Sequence, residues 1–146
     1  MPAHERETTS IAPWLSVPDA GAALAFYRAA FGAVEIEHNT DDAGTLQVAQ
    51  LWIGAADFWV QTDPDITPDP AHGGSVRMIL SVDDPDAVFT RAVGAGATVV
   101  NAMYEGHGWR IGRIADPFGH HRSAVGKKQC AAGEYHQQRS QQQKVV

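Results

Sequence analysis

Two short stretches in the last third of the chain each combine histidine with a carboxylate. The first, YEGHGWR at 104–110, contains Glu105 and His107, and the second, DPFGHHRSAV at 116–125, contains His121 beside another histidine. Imidazole and carboxylate groups are common metal ligands in proteins, and they also serve as general acids and bases. These residue types therefore indicate a metal site or an acid–base pair such as His107 and Glu105, provided that the fold brings them together.

The same stretches also have a purely structural interpretation. The sequence at 116–119, Asp-Pro-Phe-Gly, is typical of a tight turn between two strands. Adjacent residues on a strand point to opposite faces, so His120 and His121 cannot both enter one site. We therefore expect His120 to brace the turn and His121 to line the rim of a pocket. The stretch 104–110, with two glycines, is predicted to be a loop, either a lid or an ordinary connection.

Composition argues against several classes of function. The net charge is −6 and the pI is near 5.5, whereas proteins that bind nucleic acid usually present a basic face. Cys130 is the single cysteine, so no intramolecular disulfide can form and a cytoplasmic location is expected. No apolar run approaches the roughly 18 residues of a membrane helix, and the polar N-terminus does not resemble a signal peptide. Residues 1–9 are expected to be flexible, and 127–146 to form a polar tail.

The chain contains two related segments. WLSVPDAGAALAFYRAAFGAV at 14–34 and ILSVDDPDAVFTRAVGAGATV at 79–99 share a strand-like start, an acidic turn with a proline, and an alanine-rich stretch. A repeat of this length that occurs twice indicates a duplicated module. The predicted modules span 10–61 and 75–126, and a linker rich in proline and glycine joins them at 62–74.

Each module is predicted to fold as a strand, a helix and three further strands. Asp19 is the expected N-cap of the first helix and Gly32 its expected end. In the second helix the N-cap is either Asp83 or Asp84. Beyond the strands that begin each module, alternating or apolar runs predict strands at 34–38, 45–53, 57–61, 98–100, 109–115 and 120–125.

Three segments of the chain resemble a known superfamily. SVPDAGAALAFYRAAFGA at 16–33, VAQLWIG at 48–54 and WRIGRIADPFGHH at 109–121 resemble the vicinal-oxygen-chelate (VOC) superfamily, and within it the PhnB-like and glyoxalase/bleomycin-resistance group. The resemblance implies an α+β fold in which two βαβββ modules form a curved mixed sheet that cups a ligand. It also implies a homodimer in which each cup lies between modules of two chains.

The resemblance implies as well where a metal would be held, since enzymes of this superfamily use strand positions that face the cup. Those positions hold Ala12, Val48, Arg77 and Ser123 in this chain. Alanine and valine have no donor atom, arginine stays protonated without a lone pair, and serine stands where such enzymes have glutamate. We therefore expect no metal site of the family type and no cofactor. An unusual metal site would need other ligands, namely Glu105, His107 and His121.

The predicted cup is instead rich in aromatic side chains. Strand parity places Trp14, Trp52 and Trp59 on the face opposite the helices. Large aromatic side chains there suit a planar ligand that stacks on them, and packing in a core or a dimer is the alternative. Arg77 on this face would pair with a ligand anion or with a protein carboxylate. The predicted ligand-binding residues are Trp14, Gln50, Trp52, Trp59, Arg77, Tyr104, His107, Trp109, His121 and Ser123.

These expectations lead to a functional hypothesis. We interpret the chain as a metal-free protein that sequesters a partly aromatic organic molecule, as the resembled bleomycin-resistance proteins do, with antibiotic resistance as one outcome. The expected partners are this small ligand and a second copy of the chain, not nucleic acid or a membrane. One alternative is a glyoxalase- or dioxygenase-like enzyme with non-standard metal ligands or an acid–base pair. Another is a structural module that binds a protein.

Overall fold

The computed structural model describes residues 9–69 and 76–127, which form two four-stranded sheets and two helices. The strand order is β1-β4-β3-β2 in the first sheet and β5-β8-β7-β6 in the second. In each sheet the module's first strand pairs in parallel with its last strand, and the other pairs are antiparallel. This arrangement confirms the predicted α+β fold of two βαβββ modules. The elements are β1 (Trp14–Val17), α1 (Ala20–Phe31), β2 (Val34–Thr40), β3 (Leu46–Ile53), β4 (Ala56–Thr62), β5 (Met78–Ser81), α2 (Pro85–Gly94), β6 (Thr98–Gly106), β7 (Trp109–Ala115) and β8 (His121–Lys127).

Both helices begin at the predicted caps. The Asp19 side chain accepts hydrogen bonds from the first backbone N–H groups of α1, at 2.9 and 3.3 Å. Gly32 follows the last residue of α1 with φ of 66°, the left-handed conformation that favours glycine. Of the two candidates for the second N-cap, the structure selects Asp84, whose side chain accepts from the N–H of Ala87 at 3.1 Å. Local capping chemistry therefore sets where each helix starts.

The prediction of a loop or lid at 104–110 was wrong. Strand β6 extends to Gly106 and meets β7 through a two-residue turn, His107 and Gly108, with φ of 53° and 80°. Positive φ at both positions is typical of a type I′ hairpin turn, which matches the twist of the flanking strands. The stretch is therefore the tip of a hairpin, and its mixed polar composition concealed the strand pattern.

Several predicted boundaries fall at the edges of the described residues. Residues 1–8, 70–75 and 128–146 lie outside them, and these contain most of the predicted flexible N-terminus, the last five residues of the predicted linker and nearly all of the predicted tail. Thr62, the first residue of the predicted linker, ends β4, and Lys127 ends β8. Neither helix in the described part of the chain is both long and apolar enough to span a membrane.

The two modules are joined by the turn between β7 and β8. Asp116 is buried there, and its Oδ1 accepts the backbone N–H groups of Phe118 and His120 at 3.0 and 2.9 Å. Its Oδ2 accepts the hydroxyl of Tyr27, on α1 of the first module, at 2.6 Å. The ring of His120 also lies 2.9 Å from the carbonyl oxygen of Ser16 on β1. His120 thus braces the turn against the first module, as predicted.

A buried arginine completes this junction. The guanidinium of Arg122 on β8 lies 4.6 Å from the ring centre of Tyr27 and 5.5 Å from that of Phe58 on β4. Its Nε is 3.6 Å from Oδ2 of Asp116, and among the described residues neither Nε nor Nη2 has a hydrogen-bond partner. Aromatic faces and a nearby carboxylate therefore stabilise this cation.

The contact between Arg122 and Phe58 also determines which faces of the two sheets meet. Both side chains lie on the helix-bearing faces of their sheets, and both are buried. The helices pack against each other as well, since Nε of Arg91 donates to the carbonyl oxygen of Ala29 at 2.6 Å. The helix-bearing faces of the two sheets thus meet at the junction, so the opposite faces of the sheets turn away from each other.

We predict that Tyr27→Phe lowers the free energy of unfolding by about 1.5–3 kcal/mol near neutral pH, because a buried carboxylate loses a hydrogen-bond donor. Burial raises the pKa of the Tyr27 hydroxyl well above its ordinary value of 10.0. The unfolded state then ionises first, so this contribution is present below about pH 10 and falls at higher pH by about 1.4 kcal/mol per pH unit. Urea unfolding at a series of pH values measures both effects.

The matched control is Tyr104→Phe, since Tyr104 is half-exposed. This variant is expected to stay within about 0.5 kcal/mol of the parent protein. Equal losses in the two variants, or an unchanged alkaline pH dependence in Tyr27→Phe, would show that the hydroxyl of Tyr27 does not stabilise the junction.

Candidate functional site

Each sheet has one face that carries no helix. Helix α1 packs on β3 and β4, and α2 packs on β6, β7 and β8, so within the described residues no helix packs on the opposite face of either sheet. We call these the helix-free faces. Their large aromatic side chains are strongly exposed: Trp14 by 53%, Trp52 by 50%, Tyr104 by 50% and Trp109 by 41%. Clusters of exposed aromatic residues usually mark a surface that binds another molecule.

The helix-free face of the first sheet carries a pair of stacked indoles. Trp14 and Trp59 are neighbours in the β1–β4 register, and their ring centres lie 5.9 Å apart with an angle of 18° between the planes. Nε1 of Trp14 donates to Oε1 of Gln61 at 2.8 Å, and Nε2 of Gln50 donates to Oδ2 of Asp57 at 2.9 Å. The polar side chains of this face are therefore hydrogen-bonded to one another or to an indole, and the bond to Gln61 fixes the orientation of the Trp14 ring.

The helix-free face of the second sheet contains an open cavity of about 330 Å³. Strand register explains its composition. Arg113 on β7 is paired with Ser123 on β8 and with Asn101 on β6, which makes one end polar. One step along, Ile111 is paired with Val125 and Tyr104, which makes the other end apolar and aromatic. The remaining lining residues are Arg77, Ile79, Ser81 and Trp109.

A buried histidine holds one of the cavity's two arginines. Nε and Nη2 of Arg113 lie 2.9 and 2.5 Å from Nδ1 of His121, which is only 2% exposed. A guanidinium can only donate hydrogen bonds, so Nδ1 of His121 is the acceptor in this contact. This contact with His121 uses Nε and one N–H of Nη2. The N–H groups of Nη1 and the second N–H of Nη2 are the remaining donors of Arg113.

The predicted ligand-binding residues fall into three groups. Four of them share the helix-free face of the first sheet: Trp14, Gln50, Trp52 and Trp59. Four others line the cavity of the second sheet, namely Arg77, Tyr104, Trp109 and Ser123, and His121 contacts this cavity through Arg113. His107 is the exception, because it lies exposed in the turn at the tip of the β6–β7 hairpin and does not line the cavity. Their roles in binding remain predictions.

The two residues of the hypothetical acid–base pair, His107 and Glu105, both lie outside the lining of the cavity. Glu105 follows Tyr104 on β6 and therefore points to the opposite face, where it lines a cleft with Arg110 and the start of α2. One edge of the Arg110 guanidinium is used there, since Nε and Nη2 donate to the two carboxylate oxygens of Asp86 at 2.9 and 2.8 Å. These hydrogen bonds hold the pKa of Asp86 below its ordinary value.

The cavity does not fit a divalent metal. Arg77 and Ser123, two of the positions where the resemblance implies metal ligands, line it together with a second guanidinium, and two cations repel a metal ion. Among residues 9–69 and 76–127, no cluster of three or more His, Cys, Asp or Glu side chains is arranged to hold a metal ion.

Sequence reasoning missed several lining residues, Arg113 above all. The signal was present, because residues two apart on a strand share a face. Trp109 was predicted to bind the ligand. Ile111 and Arg113 lie two and four residues further along the same strand, so they share its face. Likewise Val125 lies two residues beyond Ser123 and shares its face. The alternation was applied to the first sheet but not carried along the last two strands.

Comparisons with known proteins identify relatives. A family model described as a glyoxalase-like domain matches residues 14–125. An uncharacterized protein of Mycobacterium bovis is 42% identical over 123 residues, 77% of this chain and 79% of that protein. TioX from Micromonospora sp. ML1 has a TM-score of 0.63 at 22% identity, over 85% of this chain and 100% of TioX. The fosfomycin resistance protein FosX from Listeria monocytogenes has a TM-score of 0.65 at 13% identity, over 84% and 95%. The two structural likenesses show a shared fold.

We predict that His107→Asn raises the free energy of unfolding by a few tenths to about 1 kcal/mol, because Asn-Gly is the preferred pair for a type I′ turn. The substitution leaves the cavity's lining unchanged, so the affinity for any ligand of the cavity is expected to stay the same. Chemical denaturation and ligand titration of the same preparation test both parts. A loss of affinity of tenfold or more would place His107 in the site.

Proposed function

Because the chain belongs to the glyoxalase-like domain family of the VOC superfamily, we propose that it binds a small, partly aromatic organic molecule without a metal and without changing it. The observation that carries this proposal is the pair of helix-free faces, each with exposed indole or phenol rings. Such rings provide large contact area for a planar ligand at little entropic cost.

The proposal includes a homodimer. The two helix-free faces of one chain turn away from each other, so they cannot enclose one ligand between them. A second copy related by two-fold symmetry would bring the first-sheet face of one chain over the second-sheet cavity of its partner, and the reverse. Each dimer would then contain two equivalent sites, and the half-exposed Trp14 and Trp52 would be covered.

Sequestration of a drug is one form that this function would take. A structural neighbour of this chain, FosX, is a fosfomycin resistance protein, and its likeness to this chain is one of fold. The net charge of −6 is consistent with the expectation that neither nucleic acid nor an anionic membrane surface is a partner. We retain the cytoplasmic location as part of the proposal, on the basis of the single cysteine.

The test is a fluorescence titration of the purified protein with a panel of small aromatic compounds. We expect saturable quenching of tryptophan emission by members of the panel, with one ligand bound per chain. Trp52→Leu and Trp109→Leu, one on each helix-free face, are each expected to weaken the binding about tenfold or more. Prior dialysis against a chelator is expected to leave the affinity unchanged.

Val93→Ala is the matched control, since Val93 is an exposed apolar residue on α2 and lies on neither helix-free face. Its affinity should equal that of the parent protein. Two results would contradict the proposal: no saturable quenching by any compound of the panel, or binding that chelation abolishes and a stoichiometric metal ion restores.

A further inference from the structure

We infer that the ligand of the second-sheet cavity is an aromatic carboxylate, whose anionic group binds between Arg77 and Arg113 while its ring lies toward Tyr104 and Trp109. This inference rests on the proposed function and adds to it the chemical class of the ligand. It starts from the separation of polar and apolar side chains along the cavity.

The cationic end of the cavity has no acidic group in its lining. Arg77 and Arg113 are both lining residues, and none of the described residues that line the cavity is aspartate or glutamate. Arg77 lies directly before β5, and no ion pair to a carboxylate is formed by Arg77 within the described residues. Within residues 9–69 and 76–127, two guanidinium groups in one cavity therefore have no carboxylate partner, in a chain whose net charge is −6.

An arginine on the opposite face of the same strand does have a carboxylate partner. Arg110 is three residues before Arg113 on β7, and it has a carboxylate partner in Asp86 at 2.8 Å. Arg113 instead donates to Nδ1 of His121, so this contact orients the guanidinium without pairing it with a carboxylate. A guanidinium that is oriented but not neutralised is ready to pair with an external anion.

The neighbours of Arg113 complete a site for oxygen atoms. Ser123 and Asn101 are its register partners on β8 and β6, and hydroxyl and amide groups donate hydrogen bonds to carboxylate oxygens. The planar guanidinium edge matches a planar carboxylate, which accepts two parallel hydrogen bonds from it. The side chains of Arg113 on β7 and of Arg77 just before β5 thus select both the charge and the geometry of the group that binds.

The opposite end of the cavity determines which chemical group the rest of the ligand carries. Ile111 and Val125 are paired there, with Tyr104 beside them and Trp109 at the hairpin end. This surface suits an aromatic ring rather than a second polar group. A volume of about 330 Å³ limits the part of the ligand that fits inside to about the size of one or two fused rings.

The experiment compares 2-naphthoate with its neutral amide, 2-naphthamide, by calorimetric titration of the parent protein. The carboxylate is expected to bind at least tenfold more tightly than the amide, and this difference should shrink as salt is added. Arg77→Met and Arg113→Met are each expected to weaken the binding of 2-naphthoate about tenfold and to leave that of the amide nearly unchanged. Arg113→Lys keeps the charge but loses the planar edge, so an intermediate loss is expected.

Arg110→Met is the matched control, because it removes an arginine from the same strand on the opposite face, and it should alter neither affinity. Equal affinities for carboxylate and amide, or equal losses for both in the two methionine variants, would overturn the inference and leave the proposed aromatic site standing. Failure of both compounds to bind the parent protein would overturn the inference, whereas the proposed function fails only when no compound of the wider aromatic panel binds.

Discussion

The carboxylate of Asp116 is the point on which the arrangement of the two modules depends. One oxygen accepts two backbone N–H groups and closes the β7–β8 turn, while the other accepts the hydroxyl of Tyr27 from the first module. Arg122 lies against the same tyrosine ring and near the same carboxylate. A buried carboxylate is tolerated only when its hydrogen bonds are made, so the turn and the module junction stabilise each other.

The orientation of the sheets follows from this junction. Because α1, the turn and Arg122 hold the helix-bearing faces together, both aromatic faces are directed outward. The two faces also differ in chemistry. The first presents indoles whose polar neighbours are paired with one another, and the second presents guanidinium groups that have no carboxylate partner in the described part of the chain. Both modules thus provide aromatic surface, whereas the guanidinium groups belong to the second module alone.

Much of this could be predicted from local sequence. Asp19, Gly32 and Asp84 have short-range capping roles, and alternation along β3 and β4 placed Trp52 and Trp59 correctly. The end of β6 and the turn after it were not recognised, because polar residues and glycine interrupt the alternation there and the first left-handed residue of the turn is a histidine. Arg122 shows a second limit. Its burial against three aromatic rings is set by contacts between modules, and no local pattern reports contacts of that range.

The central claim is that a site is made from the first sheet of one chain and the second sheet of another, and mixed dimers test it most directly. Trp52→Leu damages the first face and Arg113→Met the second, so each homodimer would have two damaged sites. When the two variants are co-expressed, random pairing would give an intact site in about one quarter of the total, with the parent protein's affinity for 2-naphthoate. Titration of the mixture is predicted to show this tight fraction. Binding no tighter than that of the two variants measured separately would contradict a shared site.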